Sequence, residues 1–428
     1  MQTRLPQEVL ATPVGREANE ILRRCVHCGF CNATCPTFAL TGNELESPRG
    51  RIYLIKSVLE GEGASEASLT HLDHCLGCRA CETTCPSGVR FHRLADIGRE
   101  VLHERSTRPR ADLLRRKLLV RLFDSGPLFR VLVALGRLFG PLLPAGLRRQ
   151  LSTAAGSRVR SKDEPSPVAP GPGEQAHGGE HGRNFVQLLA GCIQPALTPA
   201  TNDAAARVLA RRGIACREAA GCCGALAYHL GDVDRARRQV RRNIDAWHPA
   251  LRDSEGLVVT ASGCAAFIQD YPSLCRGDDA YESRAAELAE RLRDVTDFLD
   301  PADFAGTPPV ALHLPCTLRH ALRQSERLRT LLTDSGWELA ETADDGQCCG
   351  SAGAYSLLYP DTANTLRDKK VAQLMEGDPA QIVTANVGCC LHLSAGARVP
   401  VRHWIEVWDE REAAGEQNRQ AAGADPVA

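Results

Sequence analysis

A chain of 428 residues is too long for one ordinary hydrophobic core and predicts several domains. Its 51 Lys and Arg against 52 Asp and Glu leave a formal net charge of -1, so bulk charge selects no nucleic acid or other charged partner. Its 19 cysteines follow an N-terminus without a signal-like apolar stretch, which excludes a disulfide-stapled secreted scaffold and predicts metal or redox chemistry in the reducing cytoplasm.

In chain order, the first strong pattern is "RCVHCGFCNATCP", with Cys25, Cys28, Cys31 and Cys35. It recurs as "CLGCRACETTCP", with Cys75, Cys78, Cys81 and Cys85. C-x2-C-x2-C-x3-C-P is the two-cluster bacterial ferredoxin signature, in which the fourth cysteine of each run ligates the other cluster. The expectation is one 4Fe–4S cluster on Cys25, Cys28, Cys31 and Cys85, and a second on Cys75, Cys78, Cys81 and Cys35. The competing readings are a pair of zinc sites or catalytic dithiols. A third cysteine at x2 is redundant for zinc, which usually takes two C-x2-C pairs. Between the motifs, residues 49–60 read as a helix, which makes residues 1–104 a helical ferredoxin-like module. Arg49 and Arg51 at its start either compensate cluster charge or simply solvate the helix.

Residues 105–154 form a basic connector. From 107 to 150 it holds ten Lys or Arg and two Asp, with Leu, Val and Phe at helical spacing interrupted near Pro127 and Pro141. Residues 155–183, rich in Pro, Gly and charge, read as a disordered linker. No apolar run reaches the ~18–20 residues that span a bilayer.

A longer repeat follows, over 184–306 and 307–412. "GCCG" at 221–224 is echoed by "QCCG" at 347–350. The first copy offers Cys192, Cys222, Cys223 and Cys264; the second offers Cys316, Cys348, Cys349 and Cys389. Strands are expected at "FVQLLA", "IACREA" and "GLVVTAS", and again at "VALHLP", "WELAET" and "QIVTANV", with helices near 201–212 and 226–247. Alternating strands and helices predict parallel sheets, whose ligands gather beyond the carboxyl ends of the strands. The distant cysteines of each copy would therefore converge. The overall fold class is α+β: an α-helical two-cluster module followed by a duplicated α/β Cys-Cys-Gly domain with parallel strands. The polar tail, 413–428, reads as disordered. Cys216 and Cys275 fit no motif and read as core thiols. His313 and His320, flanking Cys316, read as ordinary hydrogen-bonded histidines or as groups that tune a site. Tyr228, His229 and Tyr355 read as packing residues.

Together, "ESPRGRIYLIK", "GCIQPALTPATNDAAARVLARRGI", "GCCGALAYHLGD" and "NVGCCLH" resemble the iron–sulfur subunits of bacterial glycolate oxidase. The resemblance covers nearly the whole chain outside the linker and tail. It implies an electron-transfer subunit that receives electrons from FAD-containing partner subunits oxidising glycolate to glyoxylate and passes them toward quinone or another acceptor. No G-x-G-x-x-G fingerprint follows a strand, so FAD is expected only in the partner, and no catalytic residue is assigned here. The resemblance also implies membrane-linked respiration. The expected location is cytoplasmic; the apolar face of the basic connector either docks on the partner flavoprotein or on the chain's own ferredoxin-like module, or makes peripheral contact at the inner face of the cytoplasmic membrane. Heterodisulfide reductase relatives carry a fifth cysteine in each Cys-Cys-Gly repeat; here Phe267 and His392 occupy those positions. A further iron–sulfur cluster or zinc at a Cys-Cys-Gly site remains open. The alternative function is a heterodisulfide reductase-like thiol–disulfide reductase subunit. A nucleic-acid protein is not indicated, because no basic aromatic groove accompanies the cysteines.

Overall fold

The computed structural model describes residues 1–105, 108–124, 126–140, 168–169, 184–304, 308–343 and 346–422. The described part of the N-terminal module is helical. Ser/Thr-Pro steps start two of its longer helices. Thr12 accepts from the Gly15 N–H ahead of helix Pro13–Arg24, and Ser47 accepts from the Gly50 N–H ahead of helix Pro48–Leu59. Helix Pro48–Leu59 packs on helix Phe91–Arg105 around Ile52, Ile55, Leu72, Leu94 and Ile97. Gly98 allows that approach: a Cβ there would lie 2.6 Å from Ile55 Cγ1.

The two cysteine loops repeat in conformation as well as in sequence. His27 and Gly29 in the first loop, and Gly77 and Arg79 in the second, all have φ between 61° and 84°. The glycine changes place between the loops, so one non-glycine residue in each is held in the left-handed region. These turns wind the backbone around the space that the thiols face.

Two parallel sheets follow. The first joins β1 (Val168–Ala169), β2 (Phe185–Leu189), β3 (Ala215–Ala219), β4 (Leu257–Val258) and β5 (Leu292–Arg293) in the order β1-β3-β2-β4-β5. The second joins β6 (Val310–His313), β7 (Gln381–Thr384) and β8 (Val401–His403) in that order. A shared core runs through both, from Val186, Leu188 and Leu209 to Leu312, Val383, Trp404 and Trp408.

Several elements differ from the sequence reading. "GLVVTAS" supplies only the two-residue β4, because the Thr260 carbonyl accepts from the His403 ring and its hydroxyl bonds Gln194 and Asn202. "WELAET" forms a single bridge, Val310 to Leu339, since only Glu338 O and Ala340 N reach β6. The helix expected near 226–247 divides into Ala225–His229 and Val233–Leu251, the second capped by Asp232. The expected linker lies outside the described residues except for Val168–Ala169, which pair with Cys216 and Arg217. Helix Trp404–Ala422 crosses the start of the expected disordered tail. Glu412 pairs with Arg211 and Arg212 of the first copy, and Asp409 pairs with Arg207 and Arg211. Residues 423–428 lie outside the described set.

The helical module seats on the first Cys-Cys-Gly copy through partly buried ion pairs. Glu17 takes Arg93 at 3.1 Å and Arg276 at 2.9 Å, Arg237 pairs with Glu100 at 2.6 Å, and Arg79 pairs with Asp270. His92 lies between Glu82, at 2.6 Å, and Asp270, at 3.5 Å. Burial alone would lower its pKa, but hydrogen bonds to Asp270 and Glu82 carry it up to about 9. A raised histidine pKa gives stability that is complete below the unfolded value of 6.5 and is lost as pH rises through about 9. The junction is therefore expected to loosen between neutral pH and the alkaline range, by up to about 3 kcal/mol. Amide hydrogen exchange of helix Phe91–Arg105 across that range measures this, and His92→Gln should flatten the dependence.

Candidate metal centres

The eight N-terminal cysteines divide between two cavities. A cavity of about 30 Å³ is lined by Cys25, Cys28, Cys31 and Cys85, with Cys81 in its wall. A second, of about 90 Å³, is lined by Cys35, Cys75, Cys78 and Cys81. Each cavity thus gathers three thiols from one motif and the fourth from the other. All eight are free thiols. Burial, reinforced by Cys25 and Cys85 nearby, pushes the Cys31 thiol up to about 11, and burial likewise pushes Cys78 and Cys81 far above 9.0. Thiolates so crowded are unfavourable unless a cation sits among them, and a four-sulfur donor set is the one that iron–sulfur clusters take. The residues present therefore fit such a cluster in each cavity.

Arg49 and Arg51 have different settings. Arg51 is 1% exposed; it donates to Glu46 Oε2 at 2.7 Å, Thr37 Oγ1 at 3.1 Å and the His71 carbonyl at 2.7 Å, and its Nη1 lies 3.9 Å from Cys35 Sγ. Arg49 is partly exposed on the wall of the first cavity and pairs with Glu44 at 2.6 Å. Arg99, absent from the sequence reading, donates to the Cys75 carbonyl at 2.9 Å and the Leu72 carbonyl at 3.0 Å, which fixes the second loop. Glu46 also receives His71 and His74 at 2.6 and 2.8 Å, forming a network beside the second cavity. His74 stands directly before Cys75 in the sequence, the one local sign of this network.

The Cys-Cys-Gly cysteines also converge, each at the carboxyl edge of its sheet. In the first copy, Cys192 follows β2, Cys222 and Cys223 follow β3, and Cys264 opens helix Ser262–Gln269 beyond β4. Cys223 Sγ lies 3.3 Å from Cys264 Sγ. Cys222 is held well below 9.0, chiefly by hydrogen bonds from Cys192 and Cys223, against the effect of burial. In the second copy, Cys316 follows β6, Cys389 sits in helix Val387–Ser394 after β7, and Cys348 and Cys349 come from the turn between them. Cys316 and Cys348 sulfurs are 3.8 Å apart, and Asn386 donates to Cys389 Sγ at 3.3 Å. The buried His313, which hydrogen-bonds Thr384 at 2.9 Å, has a ring nitrogen within 4.8 Å of the Cys349 and Cys389 sulfurs. Sequence spacing from Cys316 obscured this, because His313 meets those cysteines through the pairing of β6 with β7.

Neither fifth position adds a ligand. Phe267 packs among Tyr228, His229 and Tyr271, and the His392 ring bonds the Ala363 carbonyl at 3.1 Å. Cys390 donates to the Val401 carbonyl, while Cys216 and Cys275 are core thiols that burial pushes up to about 12 and about 11. His320 bonds Thr83 of the helical module at 2.9 Å. Both Cys-Cys-Gly sites open into one cavity of about 220 Å³, which Cys75, Leu76 and Gly77 also line.

The fold and sites define an iron–sulfur protein in which a helical module with two cysteine-lined cavities docks on a paired cysteine-rich domain. Residues 21–89 match the 4Fe-4S dicluster domain family, and residues 186–269 and 310–394 each match the cysteine-rich domain family. The chain is 43% identical to the glycolate oxidase iron-sulfur subunit of Escherichia coli (strain K12), over 96% of this chain and 99% of that one. It is 31% identical to the probable glycolate oxidase iron-sulfur subunit of Bacillus subtilis (strain 168), over 88% and 89% of the two chains. Lactate utilization protein A of Bacillus cytotoxicus is 27% identical over 53% of this chain. The chain belongs to the family of glycolate oxidase iron-sulfur subunits.

Removing the Arg51 cation would leave Glu46 buried with less compensation. Arg51→Leu is expected to destabilise the module by about 3–5 kcal/mol, the range for breaking a buried pair. Chemical denaturation under anaerobic conditions measures this, and adding Glu46→Gln should recover part of the loss.

Proposed function

We propose that this chain is the iron–sulfur electron-transfer subunit of a glycolate oxidase. The observation that carries the reading is the pair of four-thiol cavities with exchanged fourth cysteines, in a chain similar end to end to a protein of that name. In this reading, Cys25, Cys28, Cys31 and Cys85 hold one 4Fe–4S cluster, and Cys75, Cys78, Cys81 and Cys35 hold the other. When bound, each cluster supplies a one-electron donor and acceptor. Arg51 and Arg99 orient the second centre, and the first Cys-Cys-Gly copy excludes water from it through Tyr228, His229 and Phe267. A further iron–sulfur cluster or zinc belongs to Cys316, Cys348, Cys349 and Cys389, and a weaker candidate site to Cys192, Cys222, Cys223 and Cys264.

Glycolate chemistry falls to FAD-containing partner subunits, and quinone or another acceptor takes the electrons onward. The chain alone is expected not to oxidise glycolate; with its flavoprotein partner, glycolate should reduce quinone analogues. Glycolate-driven dye reduction by a flavin-free preparation of this chain contradicts the reading. Cys35→Ser should damage the centre built on Cys75, Cys78 and Cys81 and spare the one on Cys25, Cys28 and Cys31, as followed by iron content and EPR.

Peripheral contact with an anionic membrane is assigned to the connector. No helix among the described residues is long and apolar enough to cross a membrane. Helix Arg110–Asp124 seats Arg116 and Val120 on this chain, Arg116 pairing with Asp73 at 2.9 Å. Its outer side, with helix Gly126–Leu138, exposes Leu114, Leu118, Val131 and Leu138 together with Arg115, Lys117, Arg121 and Arg130. Such a face buries its apolar groups in the headgroup boundary, each nearby basic side chain adding about 1 kcal/mol. The assembled complex should float with anionic vesicles at low salt, and charge reversal at Arg115, Lys117 and Arg121 should release it.

A further inference from the structure

The two N-terminal centres differ in what covers them. The second cavity is walled by the Cys-Cys-Gly domain, through Tyr228, His229, Phe267, Asp270 and Thr317. The first is lined only by residues of the helical module, and Cys28 at its mouth is exposed. Among the described residues of 1–105, the large exposed apolar side chains are Val26, Phe30, Leu40, Leu45 and Tyr53. Val26 and Phe30 line the mouth itself and are 68% and 62% exposed; Tyr53, 55% exposed, stacks on His27 from the same loop with ring centroids 6.3 Å apart. Burying such side chains is favourable, and leaving them in water around an electron-transfer centre marks an interaction site.

The rim around these side chains carries one positive charge in excess, three Arg against two Glu. Arg23 and Arg24 are exposed just before Cys25, and Arg49 lines the cavity. Glu20 and Glu44 offset only part of this charge, through ion pairs with Arg24 and Arg49. An apolar centre within a charged rim is the anatomy of a protein–protein contact, with the rim steering a partner of opposite charge. A small-molecule acceptor needs a concave pocket of roughly 300–1,000 Å³. The first cavity is the one its four thiols would fill with a cluster, which leaves no room in it for a small-molecule acceptor, so the exposed apolar side chains at its mouth suit a protein.

We propose that the ring of Val26, Phe30 and Tyr53 around Cys28 is the docking surface for the electron-donating flavoprotein subunit, which makes the Cys25, Cys28, Cys31 and Cys85 centre the point of electron entry. The partner surface that fits is apolar at its centre and acidic at its edge. This rests on the electron-transfer reading above and adds an order to it: partner flavin, first centre, second centre, Cys-Cys-Gly domain. The reduced flavin is oxidised in two one-electron steps. A cluster held by Cys25, Cys28, Cys31 and Cys85 would accept these electrons one at a time and one held by Cys75, Cys78, Cys81 and Cys35 would take them onward, while the flavin's protons leave to solvent on the partner's side. Because the rim is charged and solvent-exposed, docking should weaken as ionic strength rises.

The test uses the full chain with its clusters and the purified flavoprotein partner, under anaerobic conditions. Phe30→Glu and Tyr53→Glu are made singly and together; Tyr53 lies on a helix that carries no cysteine. Leu114→Glu with Leu118→Glu, on the connector, serves as the comparison. Partner affinity is measured by titration, and flavin bleaching and cluster reduction are followed after glycolate is added. The expected result is at least tenfold weaker partner binding and tenfold slower glycolate-driven cluster reduction in the Phe30/Tyr53 variant. Flavin bleaching and the dithionite-reduced EPR signal should remain at wild-type amplitude, which shows that the centres are intact. Wild-type binding and reduction rates in that variant, or loss of binding in the Leu114/Leu118 variant instead, would overturn the docking assignment. If glycolate bleaches the flavin of the wild-type complex and no cluster is ever reduced, the electron-transfer reading itself falls.

Discussion

The exchange of Cys35 and Cys85 between the two cysteine loops is the constraint on which the arrangement depends. Each cavity is completed by a thiol from the other motif, so neither loop can be placed without its partner. This requirement brings helix Phe30–Ala33 against helix Ala80–Thr83 and seats helix Pro48–Leu59 on helix Phe91–Arg105. The insert between the motifs is long because it must supply that supporting helix and the Ser47-Pro48 start that aims Arg51 at Cys35. A cation buried beside a cysteine sulfur is favourable only where other groups satisfy its remaining donors, and Glu46, Thr37 and the His71 carbonyl do so.

The second constraint is the carboxyl edge of the parallel sheets. β2, β3 and β4 deliver the cysteines of one copy to one place, and β6, β7 and the intervening turn do the same for the other. Because the helical module docks on this edge, Cys75, Leu76 and Gly77 share a cavity with both Cys-Cys-Gly sites. The cavities share walls: Pro48, Cys81 and Phe91 line both the first and the second, and Cys75, Leu76 and Gly77 line both the second and the one shared by the Cys-Cys-Gly cysteines. Glu17, Asp270 and His92 hold the joint between the module and the first copy with partly buried, charge-assisted contacts.

Much of this was legible in the sequence because cysteine spacing is a local signal. Both ferredoxin-type runs, the Cys-Cys-Gly duplication and the strands leading into Cys192, Cys222 and Cys316 were readable from periodicity and motif. What was not legible depends on partners distant in the chain. The helix through 413–422 is held by ion pairs from Glu412 to Arg211 and Arg212, some two hundred residues earlier, and its own polar composition gives no sign of them. "WELAET" has strand-like composition, yet pairing requires a neighbour in register, and only one bridge is available. Arg49 and Arg51 look equivalent two residues apart, but helical rotation places one at the surface and the other in the interior. His313 approaches Cys349 and Cys389 only because β6 and β7 lie side by side.

If the two N-terminal centres are assembled by exchange of their fourth ligands, the positions of the iron reveal it. Anomalous diffraction at the iron absorption edge, from crystals grown anaerobically, tests it most directly. The account predicts two separate groups of iron, one enclosed by the sulfurs of Cys25, Cys28, Cys31 and Cys85, the other by those of Cys75, Cys78, Cys81 and Cys35. Iron enclosed by the four cysteines of a single motif, with Cys35 beside Cys31 or Cys85 beside Cys81 as a fellow ligand, would contradict it.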